Sequence, residues 1–87
     1  MIWMGARRQY PQFENLTMDD WTELLRISKL SPKLKEVATQ CVVWTDMTLV
    51  DIGEVHGVDR RTITNWMEDD IMPELLRMLP HLQRKVV

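Results

Sequence analysis

The stretch DRRTITNW, Asp59 to Trp66, gathers side chains whose donors and acceptors match the edges of base pairs. Arginine can place two N–H donors on guanine O6 and N7, asparagine can pair with adenine N6 and N7, and threonine can bond a phosphate or meet a thymine methyl. Arg60, Arg61, Thr64 and Asn65 are therefore the candidate base-reading residues, and Thr48 and Thr62 candidate contacts to the DNA backbone. On a helix beginning at Arg60 and running to about Met67, Ile63 and Trp66 turn inward, and the two arginines, two threonines and asparagine stay outside.

Such a helix must be held by the element before it. TLVDIGEVHG predicts a short helix capped by Thr48 or Asp46 and stopped at Gly57, whose freedom at positive φ turns the chain. Gly53 falls where a larger side chain would keep the two helices apart, Ile52 and Val58 supply the interior, and Asp59 caps the second helix. Two short helices crossing through a tight turn make a helix-turn-helix. His56 takes a position usually apolar and reads as a satisfied core histidine or a solvent-facing one, not as a catalytic group.

The remaining elements are helical as well. LTMDDW offers Thr17 as a cap, Asp20 three residues on, and Leu16 with Trp21 as a hydrophobic staple, for a helix ending near Ser28. SPKLKEVATQCVVW opens with Ser31 and Pro32 and strings Leu34, Val37, Ala38, Cys41 and Val42 along one stripe. MPELLRML spaces Met72, Leu75, Leu76 and Leu79 for a last helix, with Pro73 near its start and Pro80 interrupting it. Alternation typical of strands is missing, so the expected fold class is all-α: a small helical bundle of about five helices containing a helix-turn-helix. Residues 1–15 are an N-terminal arm and 16–87 the DNA-binding domain. Of the four tryptophans, Trp21, Trp44 and Trp66 fall on apolar stripes and read as core, and Trp3 as a free contact residue on the arm.

From roughly Leu16 to Trp66, LTMDDWTELLRISKLSPKLKEVA followed by TLVDIGEVHGVDRRTITNW resembles the KorA/TrfB group of plasmid transcriptional repressors and the related PapB-type regulators. The resemblance implies a repressor that binds a palindromic operator as a homodimer. It matches Arg60 to a basic residue early in the recognition helix, Asn65 to a glutamine that reads a base, and Thr64 to a hydroxyl residue between them. KorA-type repressors carry a substantial dimerisation segment after that helix. DRRTITNW also resembles recognition helices of phage small terminase subunits, so a plasmid or phage origin is implied.

Charge sets a condition on DNA binding. The formal net charge is −2, and residues 46–70 hold seven acids (Asp46, Asp51, Glu54, Asp59, Glu68, Asp69, Asp70) against Arg60 and Arg61. Phosphate repels such a surface unless the acids face away. Asp46 and Asp59 are expected in caps, and Asp69, Asp70 and Glu74 at the positive end of the last helix. Arg26, Lys29, Lys33 and Lys35, where the first helix hands over to the second, are candidate backbone clasps, as are Arg7 and Arg8 on the arm. Met72, Leu75, Leu76, Leu79 and Leu82 are the candidate dimer interface, with closure of the monomer's own core as the competing use. The acidic surface leaves a second function open, an interaction protein that binds RNA polymerase or another regulatory protein.

Catalysis is not expected. No nucleophile triad or glycine-rich phosphate loop is present, and His56 and His81 lack companion metal ligands, so neither metal nor cofactor is implied. Cys41 is alone among apolar neighbours and reads as core. No apolar run reaches the ~20 residues that span a bilayer, and Arg7 and Arg8 interrupt any signal-peptide core, so the expected location is cytoplasmic and no membrane partner is implied.

Overall fold

The computed structural model describes residues 10–44 and 46–82, and every regular element among them is helical. Helix α1 spans Met18–Ile27, α2 Pro32–Val42 and α3 Leu49–His56. The fourth, α4, runs without a break over 60–78 in three stretches: α-helical Arg60–Asn65, a π-helical Trp66–Ile71, and α-helical Met72–Met78. Single 3₁₀ turns, Pro11–Phe13 and Leu79–His81, stand at the two ends.

Local chemistry accounts for the helix starts. Thr17 accepts from the Asp20 N–H at 3.1 Å while the Asp20 carboxylate accepts from the Thr17 N–H at 3.1 Å, a complete capping box. Leu16 before it and Trp21 within it, the staple positions, are both buried. Ser31 caps α2 ahead of Pro32, whose missing N–H is one the first turn does not need. The stripe on α2 holds: Val37, Ala38, Cys41 and Val42 are buried and Leu34 is half-buried. α2 packs against α3 and the π stretch of α4, and α1 lies along the final stretch of α4.

The expected separate fourth and fifth helices are one. Two features near Pro73 favour the wider π turn. Ile63, Met67, Ile71 and Leu75 are all buried at four-residue spacing, which in an α-helix drifts by about 40° per step. A π turn takes more residues per revolution and brings them back onto one face. Pro73 lacks the N–H an α-helix would use, and its ring would press on the carbonyl four residues back. The turn before it bonds instead from Met72 N–H to the Met67 carbonyl. Past Met78 the chain tightens into the 3₁₀ turn holding Pro80.

The described part of the expected arm, residues 10–15, is tied in. Phe13 is fully buried and meets Trp21 edge-on, ring centroids 5.6 Å apart at 69°, so the core begins before Leu16. Trp21 donates its indole N–H to Thr39 Oγ1 at 3.0 Å, joining α1 to α2. Glu74 on α4 accepts from the Lys29 backbone N–H at 2.6 Å and pairs with Arg77 at 2.9 Å, which fastens the α1–α2 link to the last stretch of α4.

Candidate functional site

The corner between α3 and α4 is held at each of its joints. Thr48 and Asp51 form a second capping box, both bonds 3.1 Å, so Thr48 and not Asp46 caps α3. Gly57 adopts φ 72°, ψ 29°, the left-handed conformation in which a side chain is strained. Val58 then donates to the Gly53 carbonyl at 2.9 Å. A Cβ on Gly53 would collide with the Val58 carbonyl oxygen and crowd the Asp59 and Val58 carbonyl carbons at 3.3 and 3.4 Å, all backbone atoms. Asp59 opens α4 by accepting from the Thr62 N–H at 2.9 Å and its hydroxyl at 3.2 Å. The Thr62 N–H bond is the main reason its carboxyl lies below the usual carboxylate range, and nearby Arg61 adds to the effect. Ile52 and Ile63 close the interior of the corner, fully buried, with Val58 and Trp66 half-buried beside them. His56 is a satisfied histidine, 2.8 Å from Gln40 Oε1 on α2.

Arg60, Arg61 and Asn65 are exposed on the outer surface of α4, and neither arginine makes a salt bridge among the described residues. Thr62 and Thr64 are half-buried, and both hydroxyl protons are given within the helix, Thr62 to Asp59 and Thr64 to the Arg60 carbonyl at 3.1 Å. What they can still present outward is an acceptor lone pair and a methyl. A groove of about 360 Å³ runs along the Thr64 side of α4, lined also by Tyr10, Leu49, Met67, Glu68 and Met72. Glu68 and Tyr10 border this surface without having been among the expected site residues.

The four candidate clasps between α1 and α2 do not act as one cluster. Arg26 is engaged by Glu23 at 2.6 Å, and this bond holds the Glu23 carboxyl below its ordinary range and the Arg26 guanidinium above its own. Its side chain stays 68% exposed in this surface pair, so a phosphate would compete with Glu23 for the guanidinium. Lys29 is exposed, with its backbone fixed by Glu74. Lys35 is half-buried and lines a groove of about 400 Å³ with Leu25, Trp44 and Met47. Lys33 reaches α4 nearer the corner: its Nζ stands 4.6 Å from the centroid of the Trp66 ring. It does so from the first turn of α2, where the helix's positive end disfavours a cation and the face of the indole offsets that. Arg7 and Arg8, and Trp3, lie outside the described residues.

Several other expectations change with the fold. Asp69 and Asp70 are exposed in the π stretch, in mid-helix, because the helix start that would have used them does not exist. Leu75 and Leu82 are buried in the chain's own core and offer no surface to a partner, while Met72 and Leu79 are half-buried and Leu76 is 40% exposed. Trp44, expected in the core, is 53% exposed because it follows the last turn of α2. Cys41 is a buried free thiol.

Among the described residues no cluster of side chains has the composition of a metal site, and no helix is long and apolar enough to cross a membrane. No protein-family model, no curated protein and no solved structure matches the chain.

Proposed function

We propose that the chain is a sequence-specific DNA-binding transcriptional repressor, with α3 and α4 acting as a helix-turn-helix and α4 entering the major groove. The observation that carries this reading is the α3–α4 corner. The close approach at Gly53, the left-handed backbone of Gly57 and the Asp59 side-chain cap fix it, and the surface it holds outward presents Arg60, Arg61 and Asn65. Rigid placement of exposed donors on one short helix is what direct base readout requires. In this mechanism the two arginines and Asn65 select bases, Thr64 adds a methyl contact, and Thr48, Lys29, Lys33 and Lys35 meet phosphates; Thr62 joins them only where its hydroxyl turns from Asp59 to donate to a phosphate. Bound protein excludes polymerase. The motif-level likeness to KorA/TrfB-type and PapB-type regulators supports the same mechanism and a palindromic operator bound by a homodimer. Leu76, flanked by Met72 and Leu79, is then the apolar centre of the dimer contact. Selection of sites from random duplex DNA tests this: a palindrome should emerge, and its binding should weaken steeply with salt.

The exposed acids favour a second reading. Glu54 on α3 lies between exposed Val50 and Val55, 51% and 56% accessible, and Glu68, Asp69 and Asp70 continue the negative surface on α4. An acidic surface with apolar side chains suits a basic protein partner such as RNA polymerase. Failure to enrich any duplex, together with binding of a polymerase subunit abolished by Glu54→Lys, would favour it over DNA recognition.

A further inference from the structure

We infer that Trp66 is a positioning residue, whose indole face holds the Lys33 ammonium beside α4 as a preset phosphate contact; this rests on the DNA-binding reading above. A lysine carries its charge on a flexible four-carbon stem, and an exposed one spreads that charge over many rotamers. Lys33 is exposed, yet its Nζ sits over the Trp66 ring at 4.6 Å. Tryptophan offers the most attractive face of the aromatic side chains to a cation. The contact also fixes where the charge stands. Trp66 follows Thr62 by one helical turn, about 6 Å along the axis, and stands next to exposed Asn65. Thus α2 delivers a positive charge to the flank of the helix that carries Arg60 and Arg61.

The neighbourhood gives that charge a use. Arg26 pairs with Glu23, Lys35 is half-buried in a separate groove, and Lys29 meets α4 at Glu74, about two turns beyond Trp66, so the charge nearest the start of α4 is that of Lys33. Glu68, Asp69 and Asp70 continue the exposed surface of the same helix with negative charge. A duplex approaching α4 therefore meets a local field that Lys33 makes less repulsive at one flank. Phosphate competes well for the ammonium because it is a full anion and the ring is only a quadrupole, so the indole can present the charge and then release it.

The test is a double-mutant cycle on the full chain, read as affinity for the selected duplex and for random duplex between 50 and 200 mM salt. One lost phosphate contact lowers the salt slope by about 0.9, so a variant lacking it should lose about 3.5-fold less affinity over that range. Lys33→Gln, which keeps the stem and removes the charge, should show this reduced slope on both duplexes. Trp66→Leu, apolar but without a π face, should show most of the same reduction, and Trp66→Phe little of it. Lys33→Gln in the Trp66→Leu background should then cost almost nothing further. An unchanged slope in Trp66→Leu with lower stability alone, or an undiminished effect of Lys33→Gln in that background, would overturn the inference while leaving DNA binding intact. Should Trp66→Leu not fold, Trp66→Phe against Trp66→Met decides by the same criterion. Wild-type protein that binds no duplex at any salt removes the DNA-binding reading and this inference with it.

Discussion

Replacing Gly53 with alanine should destabilise the chain even though it removes a glycine from a helix. In an open helix interior that change gains about 1 kcal/mol. Here the added Cβ collides with the Val58 carbonyl oxygen and crowds two further backbone carbons, and no flexible side-chain end is there to give way. Relief requires the turn to move away from α3. That costs about 2–3 kcal/mol by analogy with overpacked cores, and weakens the Val58 N–H bond to the Gly53 carbonyl, worth about 1 kcal/mol. The net loss is about 2–3 kcal/mol, or a fall in Tm of roughly 8–24 °C for a domain of this size. Gly57→Ala is the control. A Cβ there meets nothing within 4 Å, so only the left-handed backbone resists it, at about 1 kcal/mol and roughly 4–8 °C. Thermal and urea unfolding followed by circular dichroism measure both. A Gly53→Ala variant that melts at or above wild type would refute the close approach, and Gly57→Ala as the more damaging of the two would reverse the assignment of the joints.

Three further outcomes are expected. Leu75→Ala, at a fully buried position, should cost about 2–5 kcal/mol in urea unfolding, whereas Leu76→Ala should leave monomer stability within ~0.5 kcal/mol and lower the dimer fraction in sedimentation. Glu74 has a carboxyl held below its ordinary value of 4.5, first by the Lys29 N–H and then by Arg77. Its ionised form therefore adds stability that is complete above the unfolded-state value and is lost as pH falls through the lower folded one. Glu74→Gln, which keeps an acceptor for Lys29, should be less stable than wild type at neutral pH, with the gap closing under acid; a gap that persists at low pH would contradict the charge-based link. Arg60→Ala should weaken binding to the selected operator far more than to random duplex, and Lys33→Gln should weaken both alike; equal losses on both duplexes for Arg60→Ala would remove it as a base reader.

Features set within one helical turn were legible in the chain. The Thr17–Asp20 box, Ser31 before Pro32, Gly57 in the left-handed region and Asp59 at the start of α4 all depend on neighbours at most four residues away; the Thr48–Asp51 box is as local, yet Asp46 stood beside Thr48 as an alternative cap. The exposed row of Arg60, Arg61 and Asn65 followed from Ile63 being inward. Arg26–Glu23 is equally local, a three-residue helix spacing, yet Arg26 beside Lys29, Lys33 and Lys35 reads as one of a group of cations. Features set by distant contacts were not legible. Phe13 has no helical repeat around it, and only Trp21 shows it to be core. Glu74 is 45 positions from the Lys29 N–H it accepts, so it looked like a helix-start acid. The join of α4 was hidden because Pro73 ordinarily marks a boundary, and only the common burial of Met67, Ile71 and Leu75 shows that the helix passes through it. Lys33 and Trp66 belong to different helices, and no periodicity links them.

The central claim is that α4 reads DNA, and the most direct measurement is site selection from random duplex followed by titration of the selected sequence at several salt concentrations. A palindromic sequence with half-sites about one DNA turn (~34 Å) apart, bound with a steep salt slope, is the expected result. Folded protein that enriches no sequence and binds no duplex at low salt would contradict it.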